Sequence, residues 1–152
     1  MKKLTFILFV IGLYLFAACS TPELSSPFGK KVKKEYFTGG QLRSEFIMDD
    51  DSGHNGLLKQ YGYDGKLTST TEIRNGVKHG VEILYDSRGR VLRKTPYYKN
   101  RRHGVVVVYY PNGEPLATIS YVKGVKHGKA VKYNKNGSIF EKAMFKNGKR
   151  VN

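Results

Sequence analysis

From Val32 onward, apolar side chains fall at alternate places in short runs, and the runs return at a fixed interval. Their first, third and fifth places are Val32, Lys34 and Tyr36; Leu57, Lys59 and Tyr61; Val81, Ile83 and Tyr85; Val105, Val107 and Tyr109; and Lys129, Val131 and Tyr133. A two-residue alternation is the period of a half-buried strand, so each run predicts one. A turn follows each: Thr38-Gly39-Gly40, Tyr63-Asp64-Gly65, Ser87-Arg88-Gly89, Pro111-Asn112-Gly113 and Lys135-Asn136-Gly137. Asn-Gly and Asp-Gly supply the positive φ angles that tight hairpins require.

A second strand is predicted next. It begins at Leu42, Leu67, Val91, Pro115 and Ile139 and carries Met48, Ile73, Tyr97, Tyr121 and Phe145 six places later. By simple alternation those two places share a face. A closing turn ends the unit, as in Asn75-Gly76, Lys123-Gly124 and Asn147-Gly148, and three units finish with His79-Gly80, His103-Gly104 and His127-Gly128. The unit is 24 residues long in 57–80, 81–104, 105–128 and 129–152, and a looser copy, 32–56, has one residue more. The expected fold is all-β: an elongated single-layer antiparallel sheet of about five tandem 24-residue β-hairpins.

These copies resemble the MORN repeat in its shorter bacterial variant, with the pattern Gly-x-x-x-x-Tyr-x-x-x-Gly-x-Leu and a closing Asn-Gly-x-x-His-Gly. The match is best from Leu57 onward, and the resemblance covers about four fifths of the chain. It implies an elongated sheet of hairpins of the kind found in adaptor, scaffold and lipid-associated proteins, some bacterial members being antitoxin-like. Fold resemblance says little about activity.

The amino terminus has a different pattern. Lys2 and Lys3 precede an apolar stretch from Leu4 to Phe16, then Ala17-Ala18 and Cys19, the single cysteine. This is the layout of a secretory signal. As one helix, Leu4 to Cys19 would reach about 24 Å, short of the roughly 30 Å hydrocarbon layer, so a permanent span is not expected. Phe16-Ala17-Ala18-Cys19 resembles the lipobox of bacterial lipoproteins, which implies that Cys19 is lipidated and becomes the first residue. By the same resemblance, Ser20 implies sorting to the outer membrane. Several acyl chains on one cysteine hold far more firmly than one. The expected segments are a signal peptide over 1–18, a lipid-anchored tether over 19–31 and the repeat domain over 32–152.

Charge narrows the partners. Lys and Arg number 27 against 12 Asp and Glu, a net +15, which attracts anionic surfaces in a salt-sensitive way. Lys78, Arg101, Arg102, Lys126, Lys149 and Arg150 gather near the closing turns and are the candidates for an anionic lipid or cell-wall polymer. Nucleic acid is not expected to meet an exported chain. The candidates for a protein partner are Tyr85, Tyr97, Tyr109, Tyr121 and Tyr133, read as one aromatic face, because a single layer without helix or second sheet must curl, dimerise or present that face.

Little points to catalysis, a cofactor or a metal. His54, His79, His103 and His127 recur one per copy, so neighbours stand roughly 9.6 Å apart, too far to share one zinc ion. They are expected to fix the turn between hairpins. Asp49, Asp50 and Asp51, close to Ser52, Asn55 and Gly56, lack a glycine in step with a calcium loop and a glutamate to close it, and read as a solvated, distorted turn. The last hairpin has no following copy, so its strand near Phe140 to Phe145 is an expected edge, open to a homodimer. The sequence therefore predicts a non-catalytic envelope lipoprotein whose repeat sheet acts as a protein-binding or scaffolding surface, with binding of an anionic lipid or cell-wall polymer, or the neutralisation of a partner protein, as alternatives.

Overall fold

The computed structural model describes residues 24–25 and 29–151. The signal peptide, Cys19 and most of the tether lie outside those residues. The strands are β1 (Leu24–Ser25), β2 (Lys31–Tyr36), β3 (Leu42–Met48), β4 (Gly56–Tyr61), β5 (Leu67–Arg74), β6 (Val77–Tyr85), β7 (Val91–Tyr98), β8 (Arg101–Arg102), β9 (Gly104–Tyr109), β10 (Pro115–Val122), β11 (Val125–Tyr133), β12 (Ile139–Lys146) and β13 (Lys149–Arg150). They form one open antiparallel sheet in chain order, with β8 paired to β7 off the main path. No helix occurs among the described residues. The all-β hairpin architecture is as expected. At its start, however, Lys31 already belongs to β2, and Leu24–Ser25 pairs with Val32 and Lys31, so part of the expected tether adds a strand to the sheet.

Two kinds of turn alternate. In the first turn of each unit only glycine is left-handed, at Gly40, Gly65, Gly89, Gly113 and Gly137. Asp64, Asn112 and Asn136 do not take positive φ there. Their side chains instead accept hydrogen bonds from the amides of Lys66, Glu114 and Ser138, two residues on. The closing turns have two left-handed residues in succession: Asn75-Gly76, Lys99-Asn100, Lys123-Gly124 and Asn147-Gly148. That is the type I′ geometry, whose twist matches that of the flanking strands.

Every hairpin contains the same slip. Tyr36 pairs with Leu42 but Glu35 with Ser44; Tyr61 with Leu67 but Gln60 with Ser69; Tyr85 with Val91 but Leu84 with Arg93. Tyr109 and Tyr133 repeat the pattern against Pro115 and Ile139. One residue of the second strand, Arg43, Thr68, Leu92, Leu116 or Phe140, is therefore extra in each copy. Such a bulge exchanges the faces of everything beyond it. Consequently Met48, Ile73, Tyr97, Tyr121 and Phe145 do not share a face with the residues that begin their strands, contrary to the alternation rule.

Tracing partners across the sheet separates its two sides. One, here the tyrosine face, carries Tyr36, Tyr61, Tyr85, Tyr109 and Tyr133, with Ile83 opposite Thr70 and Lys94, and Val107 opposite Lys94 and Thr118. The other, the basic face, has Thr71 opposite Leu58 and Glu82, Glu82 opposite Thr95, and Val106 opposite Ile119. Most of the buried residues lie on the basic face: Ser44, Ser69, Thr71, Glu82, Thr95, Val106 and Tyr121, with Val32 the one on the tyrosine side. A single layer buries small side chains by letting larger neighbours fold over them, which accounts for Ser and Thr where a sandwich would use Leu.

Successive units are tied through their closing turns. Gly76 N donates to His54 O, Asn100 N to Lys78 O, Gly124 N to Arg102 O and Gly148 N to Lys126 O, at 2.8–2.9 Å. The His-Gly step is itself a bulge, since Ile119 pairs with Ala130 but Tyr121 with Lys126. Gly80, Gly104 and Gly128 there have φ of 106°, 111° and 97°. At the C-terminal end β13 covers β12 only at Phe145 and Lys146, so most of β12 is an open edge, as expected.

A Cβ at Gly128 would stand 3.2 Å from the Ser120 Cβ in addition to its left-handed strain. Gly128→Ala is expected to lower stability by about 1–3 kcal/mol, measured by urea unfolding, while neighbouring Lys129→Ala stays within about 0.5 kcal/mol of the parent.

Candidate binding face

The bulges put Tyr97, Tyr121 and Phe145 on the basic face, opposite Gly80, Gly104 and Gly128. Glycine leaves room above the backbone, and each ring is instead covered by a cation. Lys78 Nζ lies 5.1 Å from the Tyr97 centroid, Arg102 Cζ 4.2 Å from that of Tyr121, and Lys126 Nζ 5.1 Å from that of Phe145. Two of these cations, and Arg150 after them, are cross-strand partners of the preceding rings: Arg102 of Tyr97, Lys126 of Tyr121 and Arg150 of Phe145. The result is an unbroken ladder, Lys78, Tyr97, Arg102, Tyr121, Lys126, Phe145, Arg150. Cation over ring is attractive because the ring face is negative.

Other contacts fix parts of the ladder. Arg102 Nη1 donates to the Tyr121 hydroxyl at 3.0 Å. Lys78 Nζ donates to buried Glu82 Oε1 at 2.5 Å, and Arg93 Nη2 stands 4.0 Å from the other Glu82 oxygen. Arg150 Nη1 lies 3.1 Å from Glu141. Beside the ladder runs an apolar trough of about 350 Å³ lined by Val108, Ala117, Ile119, Ala130, Ala143 and Phe145. A cavity of about 220 Å³ opens next to it among Arg93, Thr95, Tyr97, Arg102, Val106 and Tyr121.

These motifs recur in the comparison with known families. Residues 102–123 and 126–147 match the MORN repeat variant. The MORN unit thus begins at Arg102 and Lys126, three residues before the frame read from hydropathy, so each matched MORN repeat opens on a ladder cation and its His-Gly. No curated protein matches the chain.

The expected aromatic surface is divided. Tyr85, Tyr109 and Tyr133 lie on the tyrosine face, Tyr97 and Tyr121 on the basic face, so the five do not form one site. The tyrosine-face rings have local partners. Tyr61 donates to Glu45 at 2.8 Å, Tyr85 and Thr70 hydroxyls lie 3.5 Å apart, and Lys94 stands over Tyr109. Of the expected basic rim, Lys78, Arg102, Lys126 and Arg150 form the ladder, whereas Arg101 and Lys149, exposed like their neighbours Arg102 and Arg150, stand one step outside it. The spacing 78, 102, 126, 150 was present in the sequence. Its pairing with Tyr97, Tyr121 and Phe145 was not, because it depends on the bulges.

The histidines have separate roles. His79 and His103 flank the Tyr98 ring at 4.9 and 5.9 Å between centroids, and His103 Nδ1 accepts from the Lys123 amide at 3.4 Å. His103 thus ties its hairpin to the next closing turn, in keeping with the expected turn-fixing role. No group of three or more His, Cys, Asp or Glu able to hold a metal ion occurs among the described residues. In the acidic turn, Asp50 accepts from Ser52 and Asn55, while Asp49 and Asp51 pair with Lys30 and Lys31. Its bonds from Ser52 hold the Asp50 carboxyl below the usual carboxylate range.

Burial, reinforced by the adjacent Glu45 carboxylate, pushes the Tyr61 hydroxyl up to about 12. Burial alone would raise Glu45, but hydrogen bonds from Tyr61 and Lys34 outweigh it and lower its pKa. A tyrosine raised above its unfolded value contributes stability that is complete below about pH 10 and lost as pH climbs through 12. In a phenolate absorbance titration, the difference between the parent and Tyr61→Phe should have its midpoint near 12 rather than 10.

Proposed function

We propose that this chain is a non-catalytic lipoprotein of the bacterial cell envelope, anchored through Cys19 to the outer membrane, whose basic face binds a partner protein. The observation that carries the reading is the ladder of cations and rings lying directly beside an apolar trough. Arginine and aromatic side chains set against apolar ground are the composition of protein-binding hot spots. Rings on both faces have polar or cationic neighbours, and what favours the basic face is the apolar trough that lies beside its rings. The two carboxylates nearest the ladder, Glu82 and Glu141, leave it net positive and so favour an acidic partner.

Adhesion to anionic lipid or cell-wall polymer is the second reading. It draws on Arg101 and Lys149, exposed outside the ladder, where charge meets a flat surface more readily than a groove. The resemblance to antitoxin-like MORN proteins fits the first reading, with the neutralised protein as the partner.

Val107 and Val108 are adjacent on β9 and face opposite sides. A photo-crosslinking amino acid at position 108 is expected to capture one discrete envelope protein, and at position 107 to capture none. Equal capture at both positions, or none at either, overturns the assignment to the basic face. For the anchor, Cys19→Ser should abolish acyl labelling and release the chain from membranes. Labelling that persists would refute it.

A further inference from the structure

The ladder has a fixed pitch, and the pitch restricts what can lie along it. Lys78, Arg102, Lys126 and Arg150 stand on every second strand step of the sheet, in β6, β8, β11 and β13. At about 4.8 Å per strand, successive cations are therefore about 9.6 Å apart along the sheet axis. A bound β-strand brings side chains to one side every second residue, about 6.7 Å, and falls out of step at once. An α-helix returns to the same side after seven residues, about 10.5 Å, and drifts by a whole ångström per cation. A polyproline II segment presents one side every third residue, about 9.3 Å, and stays in step across all four.

A second observation lies in the cavity midway along the ladder. Thr95 is 2 % exposed and its hydroxyl has no hydrogen-bond partner, and neither has the buried Nε of Arg93. Buried polar groups are almost always satisfied, so two orphans in the wall of one cavity leave a polar group wanting there. Both atoms are buried, and the Arg93 and Arg102 side chains that line the same cavity reach solvent, so a ligand would have to displace side chains to meet them. Glu82 sits nearby, but Lys78 and Arg93 already balance it. A carboxylate, which accepts only, completes both donors. The flanking Val106 and Tyr121 suit an apolar neighbour.

Resting on the reading of the basic face as a protein-binding surface, the geometry points to its ligand: an extended, polyproline II-like segment of a partner protein with an acidic side chain at every third residue. One carboxylate sits on Arg93 and Thr95, and proline or other apolar residues between the acids pack on Tyr97, Tyr121 and the trough. Among the described residues, no other part of the sheet combines repeated charge, ring and groove at this interval.

The test uses the full-length chain in detergent micelles and three labelled dodecapeptides. One is four Glu-Pro-Pro triplets, the second has the same composition with its four glutamates contiguous, and the third has Gln in place of Glu. The triplet peptide is expected to bind at least tenfold tighter than either control. Thr95→Val keeps shape and removes only an unpartnered hydroxyl, so it should leave the melting temperature unchanged or raised while weakening the triplet peptide about tenfold. Equal binding of the two glutamate peptides would reduce the interaction to net charge and overturn the spacing. Binding to phosphatidylglycerol vesicles with none to the triplet peptide would overturn the polypeptide ligand, and unaltered affinity in Thr95→Val would remove the anchoring carboxylate. The crosslinking contrast between positions 107 and 108 is independent of all three, so failure here and failure of the protein-binding reading can be told apart.

Discussion

In each hairpin one residue of the second strand has no partner on the first, and because side chains alternate strictly, that one residue transfers the rest of the strand to the opposite face. Arg43, Thr68, Leu92, Leu116 and Phe140 occupy the same place in five copies, so the transfer is built into the unit and accumulates nothing along the array. Without it, Tyr97, Tyr121 and Phe145 would lie among the tyrosines of the first strands and Lys78, Arg102 and Lys126 would have no rings to cover. The chemistry of both faces follows from this slip.

A single layer has no opposing layer to supply a core, and the chain meets that shortage locally. Small polar residues such as Ser69, Thr71 and Thr95 occupy the most enclosed positions, and long side chains close over them, with cations lying flat on rings. Each contact is modest, but the turn-to-turn hydrogen bonds from Gly76, Asn100, Gly124 and Gly148 repeat at the same interval, so neighbouring units support one another in the manner of other repeat arrays. Lys and Arg therefore serve both to shield the sheet and to charge it. In the proposed role, displacing a cation from a ring would expose an apolar groove beside a positive charge.

Among the described residues, most of β12 is an open edge. Glu141, Lys142 and Lys146 charge it, as expected of an edge that avoids pairing. The short β13 covers only its end.

The sequence by itself determined the strands, the hairpins, the 24-residue period and the left-handed glycines of the turns, because alternation and Gly at fixed places act over a few residues, whereas Asp64, Asn112 and Asn136 cap their turns through their side chains instead. It also contained the cation at 78, 102, 126 and 150. What it did not contain was which rings those cations meet. Grouping Tyr85, Tyr97, Tyr109, Tyr121 and Tyr133 as one surface followed from counting places along a strand, and counting fails where an unpaired residue is inserted into the ladder of hydrogen bonds. Bulge positions carry no composition of their own, being Arg, Thr, Leu, Leu and Phe in the five copies. Only pairing between strands reveals them, and so only the tertiary structure decided which face is aromatic and shielded and which is basic and grooved.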